Sequence, residues 1–263
     1  MNYSDIIGAN KKGWEETAPI HRKKVFDDLL EKFKEPGYSL LDHVEKRIFD
    51  NLKVKGKDVI QLCCNNAREL LSVKNIGANR CVGIDLTEGF IKQGKELAKI
   101  ANQDIELYSM DVYHIPEKFH NSFDIVYITI GAITWLPDLP NFLKIVNKLL
   151  REDGYLFLYD YHPILDMYEP ESKDFQIPKH SYFKRDPYVE EPGGTDYFDK
   201  TAKITSTMYS FPYSLSTIFS TIIESGELTI KEFKEYDHDI SNVFKIYEQY
   251  NQYPMCFSLI AQK

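Results

Sequence analysis

From residue 58 onward, short apolar runs alternate with stretches of helical periodicity. DVIQLC (58–63) is the first run and ends in a polar, turn-prone stretch, CNNARE; a helical segment follows and stops near Gly77. CVGID (81–85) is the second run, after which Thr87 and Glu88 open an amphipathic helix over 88–101 with Phe90, Ile91 and Leu97 facing inward. IELYSM (105–110) is the third and is followed by Asp111; FDIVYIT (123–129) is the fourth; LPNFLKIVNKLL (139–150) reads as a helix. Asp153-Gly154 then turns the chain into YLFLYD (155–160), the fifth run. Strand-sized runs separated by helices are the pattern of parallel βαβ units, so the order predicts an α/β, doubly wound sheet.

The flanking regions read differently. Residues 14–51 are mainly helical, with a break at Pro36-Gly37. From 161 to about 200 periodicity disappears among Pro163, Pro170, Pro178, Pro187, Pro192 and the Gly193-Gly194 pair, interleaved with aromatics; a loop of this length is usually functional. AKITSTMYSF (202–211) reads as a strand, SLSTIFSTIIES (214–225) as a helix stopped by Gly226, and LTIKEFKEYD (228–237) and MCFSLIAQK (255–263) as closing strands. The expected organisation is a helical cap over 1–56, a core over 57–160, an aromatic, proline-rich lid over 161–212, and a helix with strands over 213–263 that complete the sheet.

The strand ends carry the candidate chemistry. A polar loop after the first strand leads into a helix N-terminus, where unpaired N–H groups face a ligand. Asp85 ends the second strand about 20 residues later, where an acid accepts hydrogen bonds from a ribose diol. Asp111 follows the third, placed for an exocyclic amino group of adenine. All three converge on one crevice of an open α/β sheet, which describes a site for an adenosine-containing cofactor. Either acid could instead cap only the next helix, with Thr87 the better cap beside Asp85.

Composition narrows the partners. Hydrophobic residues make up 43% and charged residues 27%, as in a folded globular chain. Thirty-two basic against forty acidic residues give a net charge of −8; HRKK at 21–24 is the densest basic cluster and reads as a solvated helix face, so nucleic acid is not expected. No apolar run has the roughly 18 residues of a membrane span, and MNYSDIIGANKKGWEE lacks the apolar core of a signal peptide, so a cytoplasmic location with no membrane association is expected. Cys63, Cys64, Cys81 and Cys256 form no CxxC pair and no Cys/His ligand spacing; reduced thiols and no metal are expected. There is no basis for assigning an oligomeric state.

These residues resemble a family. VIQLCCNNA (59–67) is similar, without gaps, to the VLDLGCGTG-like first motif of class I S-adenosylmethionine-dependent methyltransferases. CVGIDLTEGFIKQGKELA resembles their second strand and following helix, MDVYHIP (110–116) their adenine-binding acidic segment, and residues 123–163 their fourth strand through the fifth. GAITWLPDL, the His162-Pro163 pair and the Trp14…Ala18-Pro19…His21 segment resemble a bacterial subgroup of small-molecule type. The resemblance implies a Rossmann-like sheet of about seven strands, mostly parallel with an antiparallel C-terminal strand, plus N-terminal helices and an inserted lid. It implies S-adenosylmethionine as cofactor, S-adenosylhomocysteine as product and a small-molecule methyl acceptor as partner. Carried onto this chain, the cofactor residues are Gln61, Cys63, Asn65, Ala67, Asp85, Leu86, Asp111, Val112, Thr129 and Trp135.

The departures are specific. The family's glycine positions hold Cys63, Asn65 and Ala67, which narrows the crevice and asks non-glycine residues for a turn that favours positive φ. Gln61 replaces the usual acid. After the fourth strand the chain reads Thr129-Ile130-Gly131-Ala132, so the (D/N/S)PP(Y/F) signature of base and amide N-methylation is absent. If a general base is needed, His162 at the end of the fifth strand is the first candidate, then His21 and His180. Trp14, Tyr161, Tyr182 and Tyr197 are the substrate-wall candidates, with Tyr159 and Phe183 behind them. Competing readings are a non-catalytic adenosyl binder, a macromolecule methyltransferase, and a nicotinamide-dependent oxidoreductase, the last disfavoured because CCNNAREL offers no glycine to a pyrophosphate.

Overall fold

The structure is a computed structural model that describes residues 3–194 and 196–263. Seven strands form one sheet: β1 Val59–Leu62, β2 Cys81–Asp85, β3 Glu106–Ser109, β4 Phe123–Thr129, β5 Leu150–Tyr161, β8 Thr229–Tyr236 and β9 Cys256–Gln262. Their order is β3-β2-β1-β4-β5-β9-β8. The pairs among β1 to β5 are parallel, and β9 runs antiparallel to both β5 and β8. The chain walks outward from β1 through β3 and then crosses back to β4. The switch point therefore lies between the C-terminal ends of β1 and β4, where an open α/β sheet binds ligands.

Side chains alternate between two packed faces, as the two-residue period of a strand requires. Val59, Ile125, Tyr127, Phe157 and Ile260 pack under α3 (His43–Asn51) and α4 (Arg68–Asn75). Ile60, Leu62, Val126, Ile128, Leu156 and Leu259 pack under α6 (Leu139–Leu149) and α7 (Leu215–Ser225). β1 is buried at every position, so its sequence shows an unbroken apolar run interrupted only by Gln61. α5 (Glu88–Ile100) lies against β2 and β3, and Gly94 lets it touch the loop after β1: a Cβ there would stand 2.9 Å from the Asn66 carbonyl oxygen.

One long N-terminal helical run crosses above the switch point. It comprises α1 (Tyr3–His21), a π turn at Arg22–Phe26 and α2 (Asp27–Phe33). It is fastened to α5 by Gln93 Nε2 donating to the Ala18 carbonyl at 2.8 Å, and by Glu15, whose carboxylate accepts from the N–H groups of Glu88 and Gly89. Thr87 holds the N-cap position but makes no side-chain cap; Glu15 satisfies the Glu88 and Gly89 N–H groups and Asp85 accepts that of Thr87, which overturns the expectation that the Thr87 side chain caps α5.

The region after β5 holds two short strands, β6 (Tyr188–Glu190) and β7 (Met208–Ser210), paired antiparallel. Only the last part of the strand expected over 202–211 forms, and β6 was not foreseen among the prolines. Asn10 of α1 pins β7 from both sides, donating to the Tyr209 carbonyl (2.9 Å) and accepting its N–H (2.7 Å). β5 starts at Leu150 rather than 155: Leu150 pairs with Phe123 and Tyr155 with Ile125, so residues 151–154 bulge out, with Asp153 at φ 63°. A short helix, α8 (Lys245–Glu248), precedes β9. Among the described residues no helix is long and apolar enough to cross a membrane.

Candidate functional site

A cavity of about 560 Å³ opens at the C-terminal ends of β1, β2 and β4. α1 covers one side and the β6/β7 region another, contributing Trp14, His21, Tyr188, Tyr197 and Met208 to the wall.

The loop after β1 forms the floor. Cys63, Asn65 and Ala67, the positions that the motif comparison assigns to glycine, all adopt left-handed backbone, with φ 55°, 50° and 56°. Left-handed backbone costs an L residue about 1–2 kcal/mol, less for Asn. Hydrogen bonds from successive backbone donors hold the loop in this form. Cys64 N–H reaches the Ile84 carbonyl, Asn65 N–H reaches Asp85 Oδ2 at 2.7 Å, and Asn66 N–H reaches Asn65 Oδ1 at 2.8 Å.

Asp85 thus joins the two edges of the crevice: Oδ2 holds the loop, and Oδ1 accepts the Thr87 N–H at 2.9 Å. Burial raises its carboxyl above the usual range, and the two N–H donors oppose that rise. The same carboxylate lines the cavity. Asp111 caps a one-turn helix at Val112–His114, taking the Tyr113 N–H (3.0 Å) on Oδ1 and meeting His114 Nδ1 at 2.9 Å on Oδ2. The capping reading of Asp111 is thus realised, and the same carboxylate also lines the cavity.

Gln61, next to last in β1, is 1% exposed, and its Oε1 has no hydrogen-bond partner among the described residues. A buried carbonyl left without a donor costs about 1–3 kcal/mol, so an acceptor held at the cavity wall fits a ligand that donates to it. Thr129, Leu86, Val112 and Trp135 also line the cavity, and Trp14 stands edge-on to Trp135 with centroids 5.0 Å apart.

Of the residues singled out from sequence, Ala67, Tyr159, His162, His180, Tyr182 and Phe183 lie off the cavity. Ala67 is buried beneath the loop as the first residue leading into α4. His162 turns away from it. Its Nδ1 accepts the Ile164 N–H (3.1 Å) and its Nε2 meets Glu235 Oε1 of β8 at 2.9 Å, so the ring caps the turn after β5. Burial holds its pKa below the usual value against the pull of Glu235. Tyr182 uses its hydroxyl to accept the Leu215 N–H at the start of α7 (3.0 Å). These two corrections have one cause: each polar tip is spent on a backbone group that nothing else satisfies. His180 pairs with Glu169, Phe183 is 77% exposed, and Tyr159 faces α3, where its hydroxyl donates to Asp42 Oδ2.

His21 does reach the cavity, but Nε2 sits 2.9 Å from Asp196 Oδ2 with both side chains buried, and Tyr197 and Phe198 flank the ring. Desolvation outweighs the carboxylate and lowers its pKa. The pair fastens α1 to the region after β5. Sequence reading missed Asp166, Tyr188, Glu190, Phe244 and the Arg68–Glu69 pair, all in the wall. Asp166 lies in a stretch without periodicity, where no pattern marks it.

Comparison with known proteins follows this geometry. Residues 60–158 match the family model described as a methyltransferase domain. The ribosomal protein L11 methyltransferase of Thermosipho africanus is 30% identical over 128 residues, covering 48% of this chain and 44% of that protein. The matched regions span between 29% and 59% of the length of these curated relatives. Among solved structures, an S-adenosylmethionine-dependent methyltransferase from Mesorhizobium loti superposes with a TM-score of 0.57 at 18% identity, over 82% of this chain and 96% of that one. The geranyl diphosphate C-methyltransferase of Streptomyces coelicolor A3(2), solved with Mg2+, geranyl diphosphate and S-adenosylhomocysteine, gives 0.56 at 10% identity, over 82% and 77%.

Proposed function

We propose that this chain is a class I S-adenosylmethionine-dependent methyltransferase and transfers a methyl group from S-adenosylmethionine to a small molecule held in the cavity above β1 and β4. The observation that carries the reading is the set of groups converging there: the partnerless Gln61 Oε1 and the Asp85 and Asp111 carboxylates.

The residues fit the cofactor. Gln61 would take a hydrogen from the methionine ammonium, Asp85 the ribose hydroxyls, and Asp111 with Val112 the adenine edge, while Leu86, Thr129 and Trp135 line the remainder. Bound S-adenosylmethionine supplies an electrophilic methyl carbon on a sulfonium. The chain's own task is to align an acceptor and exclude water, and positioning of this kind supplies on the order of 7–11 kcal/mol. A small-molecule acceptor is supported by the cavity's volume, about 560 Å³, and by the cover of α1 and the β6/β7 region. A cytoplasmic setting is part of the proposal, supported by four free cysteines, three of them buried.

A second reading has an observation behind it. Three non-glycine residues in left-handed backbone line or underlie the cofactor floor, which suits a protein that binds an adenosyl ligand without turnover. A thermal-shift panel with S-adenosylmethionine, S-adenosylhomocysteine, NAD and NADP tests the proposal. An adenosyl ligand at 100 times its dissociation constant stabilises by about 2.7 kcal/mol, a rise of roughly 5–10 °C. A response to NAD alone refutes the assignment. Binding of S-adenosylhomocysteine with no methyl transfer across an acceptor panel would favour the non-catalytic reading.

A further inference from the structure

Resting on that reading, we propose that the methyl acceptor is an amine carried on an aromatic or apolar body, and that Asp166 holds the amine and takes the proton it loses. The charge of the cavity wall is the first observation. Its cationic candidates are both engaged: Arg68 Nε lies 2.6 Å from Glu69, and His21 is paired with Asp196. Asp85, Asp166 and Glu190 line the same space with no cationic partner among the described residues. An acceptor carboxylate or phosphate meets no free positive side chain there; with Asp85 on the ribose, an acceptor ammonium still meets Asp166 and Glu190.

The second observation is where Asp166 sits. It belongs to the turn Pro163–Met167 that directly follows β5, and this turn is fixed at both ends. The His162 ring caps its start, and the Tyr188 hydroxyl donates to the Asp166 carbonyl at 3.2 Å. Tyr161, Tyr188 and Phe244 stand around it in the wall, so the carboxylate is presented amid aromatic rings, the arrangement that recognises a cation on an apolar body. Burial raises the Asp166 carboxyl to about 7; Asp160 adds to the rise and the Tyr161 hydroxyl opposes it, while Tyr188 is the other titratable group against it. A base with that value is matched to neutral pH.

The step balances as follows. The bound ammonium gives one proton to the Asp166 carboxylate. The neutral nitrogen's lone pair forms the N–CH3 bond as the CH3–S bond breaks, its electron pair remaining on sulfur. The positive charge moves from sulfur to the methylated nitrogen, and the Asp166 proton returns to solvent when the product leaves.

The test uses one hydrocarbon body with three end groups: phenethylamine, phenethyl alcohol and hydrocinnamate. Each is titrated calorimetrically into the full chain and into Asp166→Asn, with and without S-adenosylhomocysteine. Asparagine keeps the size of the side chain and mimics its neutral form, so folding should persist, as a melting curve checks. The amine should bind about tenfold more tightly than the alcohol, with hydrocinnamate weakest, and Asp166→Asn should erase the preference for the amine. In methyl transfer to phenethylamine, kcat should rise with pH through about 7, and Asp166→Asn should lower it by about 10²–10⁴-fold and flatten that rise. Tightest binding of hydrocinnamate, or amine affinity unchanged in the variant, overturns the proposal. Absence of any adenosyl-ligand binding would instead sink the cofactor reading, because the titrations without S-adenosylhomocysteine still report the charge preference of the cavity.

Discussion

Replacing Asp85 with alanine removes the acceptor from two backbone N–H groups at once, those of Asn65 and Thr87. Hydrogen bonds to a charged group contribute about 1.5–3 kcal/mol each, so the pair accounts for about 3–6 kcal/mol. Part of that is offset, since burial already disfavours the ionised carboxyl. A net loss of about 2–4 kcal/mol remains, equivalent to a fall in Tm of roughly 5–15 °C at 2–4 °C per kcal/mol. Asn65 also stands in left-handed backbone that its bond to Asp85 stabilises, so the floor of the cavity should relax along with the stability. Asp85→Ala should therefore lose the thermal shift with either adenosyl ligand. Asp85→Asn keeps one acceptor and should fall about half as far in Tm. Melting curves by circular dichroism, with and without S-adenosylhomocysteine, read both effects. An alanine variant that melts within a degree or two of the parent would refute the structural argument, and one that keeps the full ligand shift would show that the ribose contact is elsewhere.

The remaining predictions use independent parts of the fold. Gly94→Ala should cost about 1–3 kcal/mol in urea denaturation because its new Cβ meets Leu107 at 2.7 Å and the Asn66 carbonyl at 2.9 Å, whereas Gly8→Ala, with nothing within 4 Å, should stabilise by about 0.5–1 kcal/mol. Glu45 is buried, accepts from the Asp42 N–H and the Tyr127 hydroxyl, and burial raises its carboxyl to about 7. A raised acid binds more protons folded than unfolded, so its contribution is intact below about pH 4.5 and is lost as pH rises through 7. Parent stability minus that of Glu45→Gln should decline by up to about 3 kcal/mol from pH 5 to pH 8, and a flat difference would contradict the burial argument. His162→Ala should lower stability by about 1–3 kcal/mol through the lost cap and the stranded Glu235 contact, yet leave the adenosyl-ligand shift in place; loss of that shift would return His162 to the site.

What could be read from the chain followed periodicity. β1 to β4, α5, α6 and α7 announce themselves because a sheet buried on both faces demands unbroken apolar runs and a one-sided helix demands a stripe. The placement of Asp85 and Asp111 in one cavity wall was legible for the same reason: they stand at or just past strand ends, and strand ends in this topology share one crevice. His162 and Tyr182 were misread because a polar tip near a crevice gives no sign of which backbone N–H it will satisfy. For Tyr182 that group lies 33 residues away, at Leu215, and the His162 ring is held off the crevice by the Glu235 carboxylate 73 residues on as well as by the nearby Ile164 N–H. β6 and Asp166 escaped because the strand is three residues long and the acid lies in a turn, too short for any period to show.

A crystal structure of the full chain grown with S-adenosylhomocysteine tests the central claim most directly. The account predicts the nucleoside between the Asn65 turn, Asp85 and Asp111, with the ribose hydroxyls on the Asp85 carboxylate and the amino-acid end at Gln61. Density for the ligand away from these groups, or a cavity closed by the Cys63 and Trp135 side chains with the ligand excluded, would contradict it.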